Sequence, residues 1–230
     1  EKDGKYYLFF PAKDHTGIFR IGVALSDSPI GPFIPQPQPI QKSYSIDPAV
    51  FRDDDGKYFM YFGGIWGGQL QRWRTGTFNP DQPESPFAFL PEATEPALCA
   101  KVAKLTDDLL EFEEDAHDLV ILDETGQPLL QGDSDRRFFE ASWMHKFNGT
   151  YYFSWSTGDT HYLCYATGDN PYGPFTYKGR ILEPVVGWTS HHSICEFKDK
   201  WYLFYHDSSL SKGVTHLRSV KVTQDRKSTR

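Results

Sequence analysis

Two carboxylates and an imidazole recur at one place in the chain. Asp47 in "SIDPAVF", Glu140 in "FFEASWM" and Ser190-His191 in "SHHSICEF" belong to three similar stretches. Asp47, Glu140 and Ser190 each stand 11 residues before an aromatic that follows a tight turn: Tyr58, Tyr151 and Trp201. Glu140 has Phe138-Phe139 before it and Trp143-Met144 after it. An ionised carboxylate is costly in such a setting without partners. The same setting raises a carboxyl pKa, as a general acid needs near neutral pH. Asp47 precedes Pro48, so a turn or strand-entry aspartate is its competing reading. His191 and His192 alternate along a strand, which sends one to the site and the other to packing or solvent. Two carboxylates in an aromatic surround suggest glycoside hydrolysis. One protonates the leaving oxygen, and the other activates water or forms a covalent intermediate. In the inverting case they stand roughly 6.5–9.5 Å apart.

The elements that must position these groups are visible as a repeat. "DGKYYLFF", "DGKYFMYF", "NGTYYFSW" and "KDKWYLFY" write one hairpin four times. Gly4, Gly56, Gly149 and Asp199 are the equivalent turn positions, spaced 52, 93 and 50 residues apart. Asp-Gly and Asn-Gly between apolar runs are strong hairpin signals. A second motif follows: "VALSDSPIGPF" matches "CYATGDNPYGPF", and "LRSVKVT" is a shortened relative. Each unit therefore reads as a strand, a tight turn, an aromatic strand, a third strand and a Pro-Gly turn, with a fourth strand able to follow. Four-stranded units of about 50 residues suggest an all-β fold of the β-propeller type. In such a ring, equivalent inner-strand positions converge on the axis, so residues distant in sequence become neighbours. The long middle interval carries about 40 extra residues from Thr75 to Asp115. Its Pro-rich part, "FNPDQPESPFAFLPEATEP", reads as a surface loop. "CAKVAKLTDDLLEF" reads as outer strands, with a short helix as the alternative because Val102, Leu105 and Leu109 are also helically spaced.

Composition excludes some functions. Aromatic residues make up 16% of the 230 positions, which suits strands and also sugar-binding faces. A net charge of −7 argues against a nucleic-acid partner. No apolar run reaches the roughly 18 residues of a membrane span, and localisation is not readable. The three cysteines fit neither a zinc site nor a disulfide framework, and Cys164 and Cys195 read as small packed hydrophobes. Trp66, among Gly63, Gly64, Gly67 and Gly68, and Trp188, just before the histidines, are candidate sugar-binding rings, with core packing as the alternative. Trp143 and Trp201 read as core. The "STGDTHY" loop, with Thr160 and His161, reads as a neighbour of the site.

"SIDPAVFRDDDGKYFMYFGG", "FFEASWMHKFNGTYYFSWSTGDTHY" and "GWTSHHSICEFKDKWYLFYHDS" resemble glycoside hydrolase family 43, and the likeness runs from Asp3 to Val222. The resemblance implies a five-bladed β-propeller enzyme, a β-xylosidase or α-L-arabinofuranosidase, that acts by inversion on plant cell-wall polysaccharides or oligosaccharides. It implies Glu140 as general acid and Asp47 as the aspartate that tunes the acid's pKa. It places His191 near the channel centre, where many members hold calcium or another ion, although no cofactor is required for the reaction. It matches Arg218 in "HLRSV" to an active-site arginine, a plain surface arginine being the alternative. Ala141-Ser142 departs from the Gly-Pro that more often follows the acid. The family's general base lies in the first blade, upstream of Glu1. Asp14 and Asp27 do not match it. The expectation is thus a single propeller domain over residues 1–230, covering roughly four blades and incomplete at the N-terminus and at the polar C-terminal "TQDRKSTR", with hydrolysis impaired by the missing base. The rivals are a non-hydrolytic sugar-binding propeller, and a protein-binding scaffold, which would carry Trp-Asp repeats and leave the carboxylates apart.

Overall fold

The computed structural model describes residues 1–83, 85 and 87–224. Four separate sheets follow one another along the chain. The first holds β1 (Tyr6–Lys13), β2 (Phe19–Ser26) and β3 (Ile34–Pro35) in that order. The second holds β4 (Ala49–Arg52), β5 (Tyr58–Phe62), β6 (Ala100–Lys104) and β7 (His117–Leu119). The third contains β8 (Ile121–Leu122), β9 (Glu140–Phe147), β10 (Thr150–Ser156), β11 (Leu163–Gly168) and β12 (Phe175–Leu182), in the order β8-β12-β11-β10-β9. The fourth is β13 (His192–Phe197), β14 (Lys200–Asp207) and β15 (Ser219–Gln224). Ladders are antiparallel except where β8 joins β12 in parallel.

Three of the four repeated turns share one geometry, and at the other, Asp55-Gly56, Gly56 alone has positive φ. Asp3-Gly4, Asn148-Gly149 and Lys198-Asp199 have positive φ at both central residues, the geometry that follows the twist of a hairpin. The aromatic strands divide their side chains between neighbouring sheets by simple alternation. Phe59 and Tyr61 enter the core shared with the third sheet, where Phe153 and Trp155 sit. Met60 and Phe62 face the first sheet's Ile21 and Val23. Leu203 and Ile194 pack on Leu163 and Ile181 of the third sheet. Each sheet is thus stacked on the next in chain order, and β4 and β13 both approach β9.

Several details differ from the sequence reading. The units are not uniformly four-stranded: they hold three, four, five and three strands. By contrast, the outer-strand reading of residues 100–104 holds: they form β6 and not the alternative helix, because alternation places Val102 and Ala103 against opposite buried faces beside β5. Cys195 is exposed: it alternates with buried Ile194 and points to the uncovered side of the fourth sheet. Thr223 and Gln224 are paired in β15, while Asp225–Arg230 lie outside the described residues. The Pro-rich loop has no helix or strand among its described residues. The four sheets do not close into a ring among the described residues. Leu8 on the first sheet, and Phe197, Val220 and Val222 on the fourth, remain exposed.

Candidate active site

Asp47 precedes β4, Glu140 opens β9 and His191 precedes β13, so the entries to three inner strands converge on one point. His191 Nε2 lies 3.6 Å from Asp47 Oδ2 and 3.6 Å from Glu140 Oε1. The repeat register marked Ser190, but the imidazole one residue on reaches the site. Ser190 is buried and donates to His206 O at 2.7 Å. His192 turns the other way, against Ser154 Oγ at 2.6 Å, and burial holds its pKa down to about 3.

Local backbone aims these groups. Opposite β10, Trp143 pairs with Ser154 and Glu140 with Ser156, so Ala141 and Ser142 face one residue and form a bulge. Ala141 has φ +63°, a conformation glycine takes more easily, and its N–H donates to Asp47 Oδ2 at 3.2 Å. Asp47 also has positive φ, at +59°. Such strained residues gather where surrounding structure fixes a site. Ser45 Oγ accepts from Gly64 N–H at 3.0 Å and donates to Gly68 O at 2.7 Å, which ties the Asp47 segment to the turns carrying Trp66. A Cβ on Gly64 or Gly68 would lie within 2.7 Å of Ile46, so these glycines make room for it.

A cavity of about 330 Å³ opens over this point. Its walls are Phe19, Ile46, Ile65, Trp66, Phe139 and Trp188, and its polar groups are Glu140, Thr189, His191 and Arg218. Trp66 and Trp188 stack at 6.2 Å, and His161 sets its edge against Trp188 at 4.8 Å. Both candidate tryptophans and Arg218 therefore face the pocket. Arg218 Nε donates to Thr215 O at 3.0 Å. Thr160 faces away and donates to Ser134 O at 2.9 Å. Trp143 and Trp201 pack in the core beside Ile194 and Leu203. Asp14 is consumed by Thr16, Ile18 and Arg20, and exposed Asp27 pairs with Lys5.

The sequence did not mark Phe19, Ile46, Phe139, Thr189 or His206. Thr189 donates to Glu140 Oε1, and it could have been suspected from its place between Trp188 and His191. His206 Nε2 accepts the His191 N–H at 3.0 Å and so fixes that backbone. Burial and the nearby Arg218 charge hold its pKa down to about 4, which leaves the ring neutral and able to accept.

The electrostatics reverse the sequence expectation for Glu140. Burial acts to raise its carboxyl, but bonding from His191, the His191 charge, Thr189 and Arg218 outweigh burial and hold it below the ordinary value. Asp47 is the carboxyl that moves up, to about 6, because burial dominates and Glu140 adds repulsion against the pull of His191. Burial lowers His191, but the two carboxylates overcome it and raise the imidazole.

Asp47, Glu140 and His191 each offer one ligand atom, all within 4.8 Å of one another. Calcium takes six to eight oxygen ligands. This set supplies two carboxylates and a nitrogen, and both carboxylates already accept from Ala141 and Thr189. It does not fit a protein-built calcium cage.

Known proteins share this arrangement of chain and strands. The profile of glycosyl hydrolases family 43 matches residues 1–84. A xylosidase/arabinosidase of Bacteroides ovatus is 65% identical over 223 residues, which are 97% of this chain and 67% of that protein. The chain belongs to glycosyl hydrolase family 43. It is a glycosidase. A xylosidase/arabinosidase of Humicola insolens is 64% identical, with 97% of this chain and 68% of that protein covered. A crystal structure of a β-xylosidase/α-arabinofuranosidase of this family, from a compost microbial metagenome and complexed with xylotriose in calcium-free form, superposes with a TM-score of 0.93. It is 66% identical and covers 97% of this chain and 67% of its own. This chain thus spans about two thirds of the length of these relatives.

Proposed function

We propose that the protein is an inverting, exo-acting β-xylosidase or α-L-arabinofuranosidase that removes pentose units from xylose- or arabinose-containing oligosaccharides and polysaccharides. The observation that carries this reading is the convergence of Asp47, Glu140 and His191, from three sheets, beneath a pocket walled by Trp66, Trp188 and Phe19. A pocket with aromatic walls suits the terminal ring of a sugar chain. The relatives named for xylosidase and arabinosidase activity, and the xylotriose bound in one of them, support the substrate class.

Glu140 is the general acid, since it faces the cavity and protonates the leaving glycosidic oxygen. Its carboxyl is ionised in the free site, and His191 at 3.6 Å is the neighbour that returns a proton when a sugar displaces water and penalises the charge. Asp47 is the tuning carboxylate. Its ligand oxygen lies within 4.8 Å of that of Glu140, too near to hold a water in inverting geometry, and it does not line the cavity. That position also argues against a nucleophile. Trp66, Trp188, His191 and Arg218 contact the sugar. The water-activating aspartate is the one that the family resemblance places upstream of Glu1. We assign no step to a cofactor.

The fold reading extends in the same way, to a five-bladed ring. The exposed apolar faces of the first and fourth sheets are the two surfaces that a fifth sheet would cover.

The test is hydrolysis of aryl β-xyloside and aryl α-L-arabinofuranoside by the chain and by a form extended upstream of Glu1, with Glu140→Gln as control. Turnover by the extended form that the substitution removes supports the reading and names the sugar. Binding of both sugars without turnover in either form leaves the sugar-binding alternative.

A further inference from the structure

Gln69 occupies an unusual position. It sits between two short 3-10 turns, Trp66–Gly68 and Leu70–Trp73, with φ +67°. A left-handed residue between tight turns is where glycine costs least, yet here a long amide is held in that conformation. Both ends of the amide are used on one loop of another sheet. Oε1 accepts the Phe19 N–H at 3.0 Å, and Nε2 donates to Gly17 O at 2.9 Å. The pair of bonds fixes the amide's orientation, since the reversed orientation would oppose donor to donor and acceptor to acceptor. The Gln69 N–H, in turn, donates to Trp66 O at 2.9 Å.

The loop on the other side is closed on itself. Asp14 takes the N–H groups of Thr16 and Ile18 and the Nε of Arg20. The end of that loop is Phe19, the one residue of the first sheet that lines the cavity among the described residues. Trp66, three residues before Gln69, is a wall of the same cavity. A single side chain therefore ties together two walls that come from different sheets.

We propose that Gln69 is a positioning residue for the sugar site: it holds Phe19 at a fixed separation from Trp66, and so sets the width of the pocket that receives the pentose ring. The inference rests on the reading of this cavity as the sugar site. Gln69 touches no sugar itself and acts through Phe19. A wall ordered before binding spares the ligand the cost of ordering it.

The experiment is a double-mutant cycle on xylotriose binding to the 230-residue chain, measured by calorimetry, with Q69L, F19A and F19A/Q69L. Q69L keeps the bulk of the side chain and removes both bonds. It is expected to weaken xylotriose binding about three- to tenfold, the scale of ordering one side chain. If Gln69 works through Phe19, Q69L adds nothing in the F19A background. Q69E keeps the acceptor for the Phe19 N–H but sets a carboxylate oxygen against Gly17 O, so it is expected to weaken binding at least as much as Q69L. It also serves in place of Q69L if that variant does not fold. Penalties of Q69L and F19A that simply add, or a Q69L affinity equal to wild type, overturn the proposal while leaving the site in place. Wild-type chain that binds neither xylotriose nor an arabino-oligosaccharide overturns the site reading, and this inference with it.

Discussion

His191 Nε2 stands 3.6 Å from Glu140 Oε1, although 51 residues separate the two in the chain. The contact crosses from the third sheet to the fourth, and it explains why Glu140 sits among phenylalanines without being a raised carboxyl. Its neighbour Phe138 faces the core and Phe139 packs between core and cavity, whereas its own side chain meets an imidazole, a hydroxyl and the charge of Arg218. Under the proposed acid role of Glu140, the proton would belong to the coupled cluster of Glu140, His191 and Asp47 rather than to one residue.

Glu140→Gln keeps the size and removes the proton. Turnover of substrates with poor leaving groups is expected to fall by about 10²–10⁴-fold, with sugar binding within a few fold of wild type. Activated aryl glycosides should suffer less, because their leaving groups need little protonation. Steady-state kinetics on a matched pair of substrates checks this, and equal losses on both would remove the acid role from Glu140.

Asp47→Asn should separate stability from activity. Asp47 is raised to about 6 in the folded chain, against about 3.9 unfolded. The folded state therefore holds a proton that the unfolded state has lost between those values, and stability falls as pH rises from about 4 to about 6. An asparagine carries no such penalty and can still accept the Ala141 N–H. The expected outcome is a Tm higher by a few degrees at pH 7 and unchanged near pH 4, together with a lower kcat. Thermal melts across that range decide it, and a Tm lowered at pH 7 would contradict the assignment.

Much of this site was legible because a repeat converts sequence register into spatial register. Asp47 and Glu140, each 11 residues before an aromatic marker, do meet. The register slipped at Ser190 because the strand entry differs there by one residue, and period-two alternation then chose His191 over His192. What the repeat could not reveal came from outside it. Phe19 and Gln69 belong to a loop and a turn whose meeting depends on how two sheets pack, and nothing in their local sequence signals it. The sign of the Glu140 shift was hidden for the same reason, since flanking residues say what lies beside a strand residue and not what lies across from it. The all-β class and the aromatic hairpins were plain from turn chemistry. The uneven strand numbers were not, because short edge strands such as β3, β7 and β8 are made by packing rather than by pattern.

Trp188→Ala tests the sugar wall. Trp188 is 40% exposed and stacks on Trp66 at 6.2 Å, so it contributes little to the core. Xylotriose affinity is expected to fall about five- to tenfold, in line with a stacking loss of about 1–1.5 kcal/mol, while Tm moves by less than a few degrees. A Tm that collapses with affinity unchanged would return Trp188 to the role of a structural ring.

Asp53 offers a stability test far from the chemistry. It follows β4 and reaches into the third sheet, where Oδ1 accepts from Lys146 Nζ at 2.8 Å and Oδ2 from the Tyr151 hydroxyl at 2.5 Å. Its side chain is 10% exposed, and Lys146 also bonds the Tyr151 hydroxyl at 2.9 Å. Burial works to raise the Asp53 carboxyl, but these two donors win and hold it below the ordinary value. A lowered folded pKa means that the contribution is fully present above the unfolded value of about 3.9 and is lost as pH falls through the folded one. Asp53→Ala should therefore cost about 1–3 kcal/mol at pH 7, the scale of unpairing buried charge-assisted bonds. The difference from wild type should shrink as pH drops below about 4. Urea unfolding at pH 7 and pH 3 measures both. A penalty that stays constant across the two would mean that Asp53 acts through the shape of the turn and not as the anion that joins the second sheet to the third.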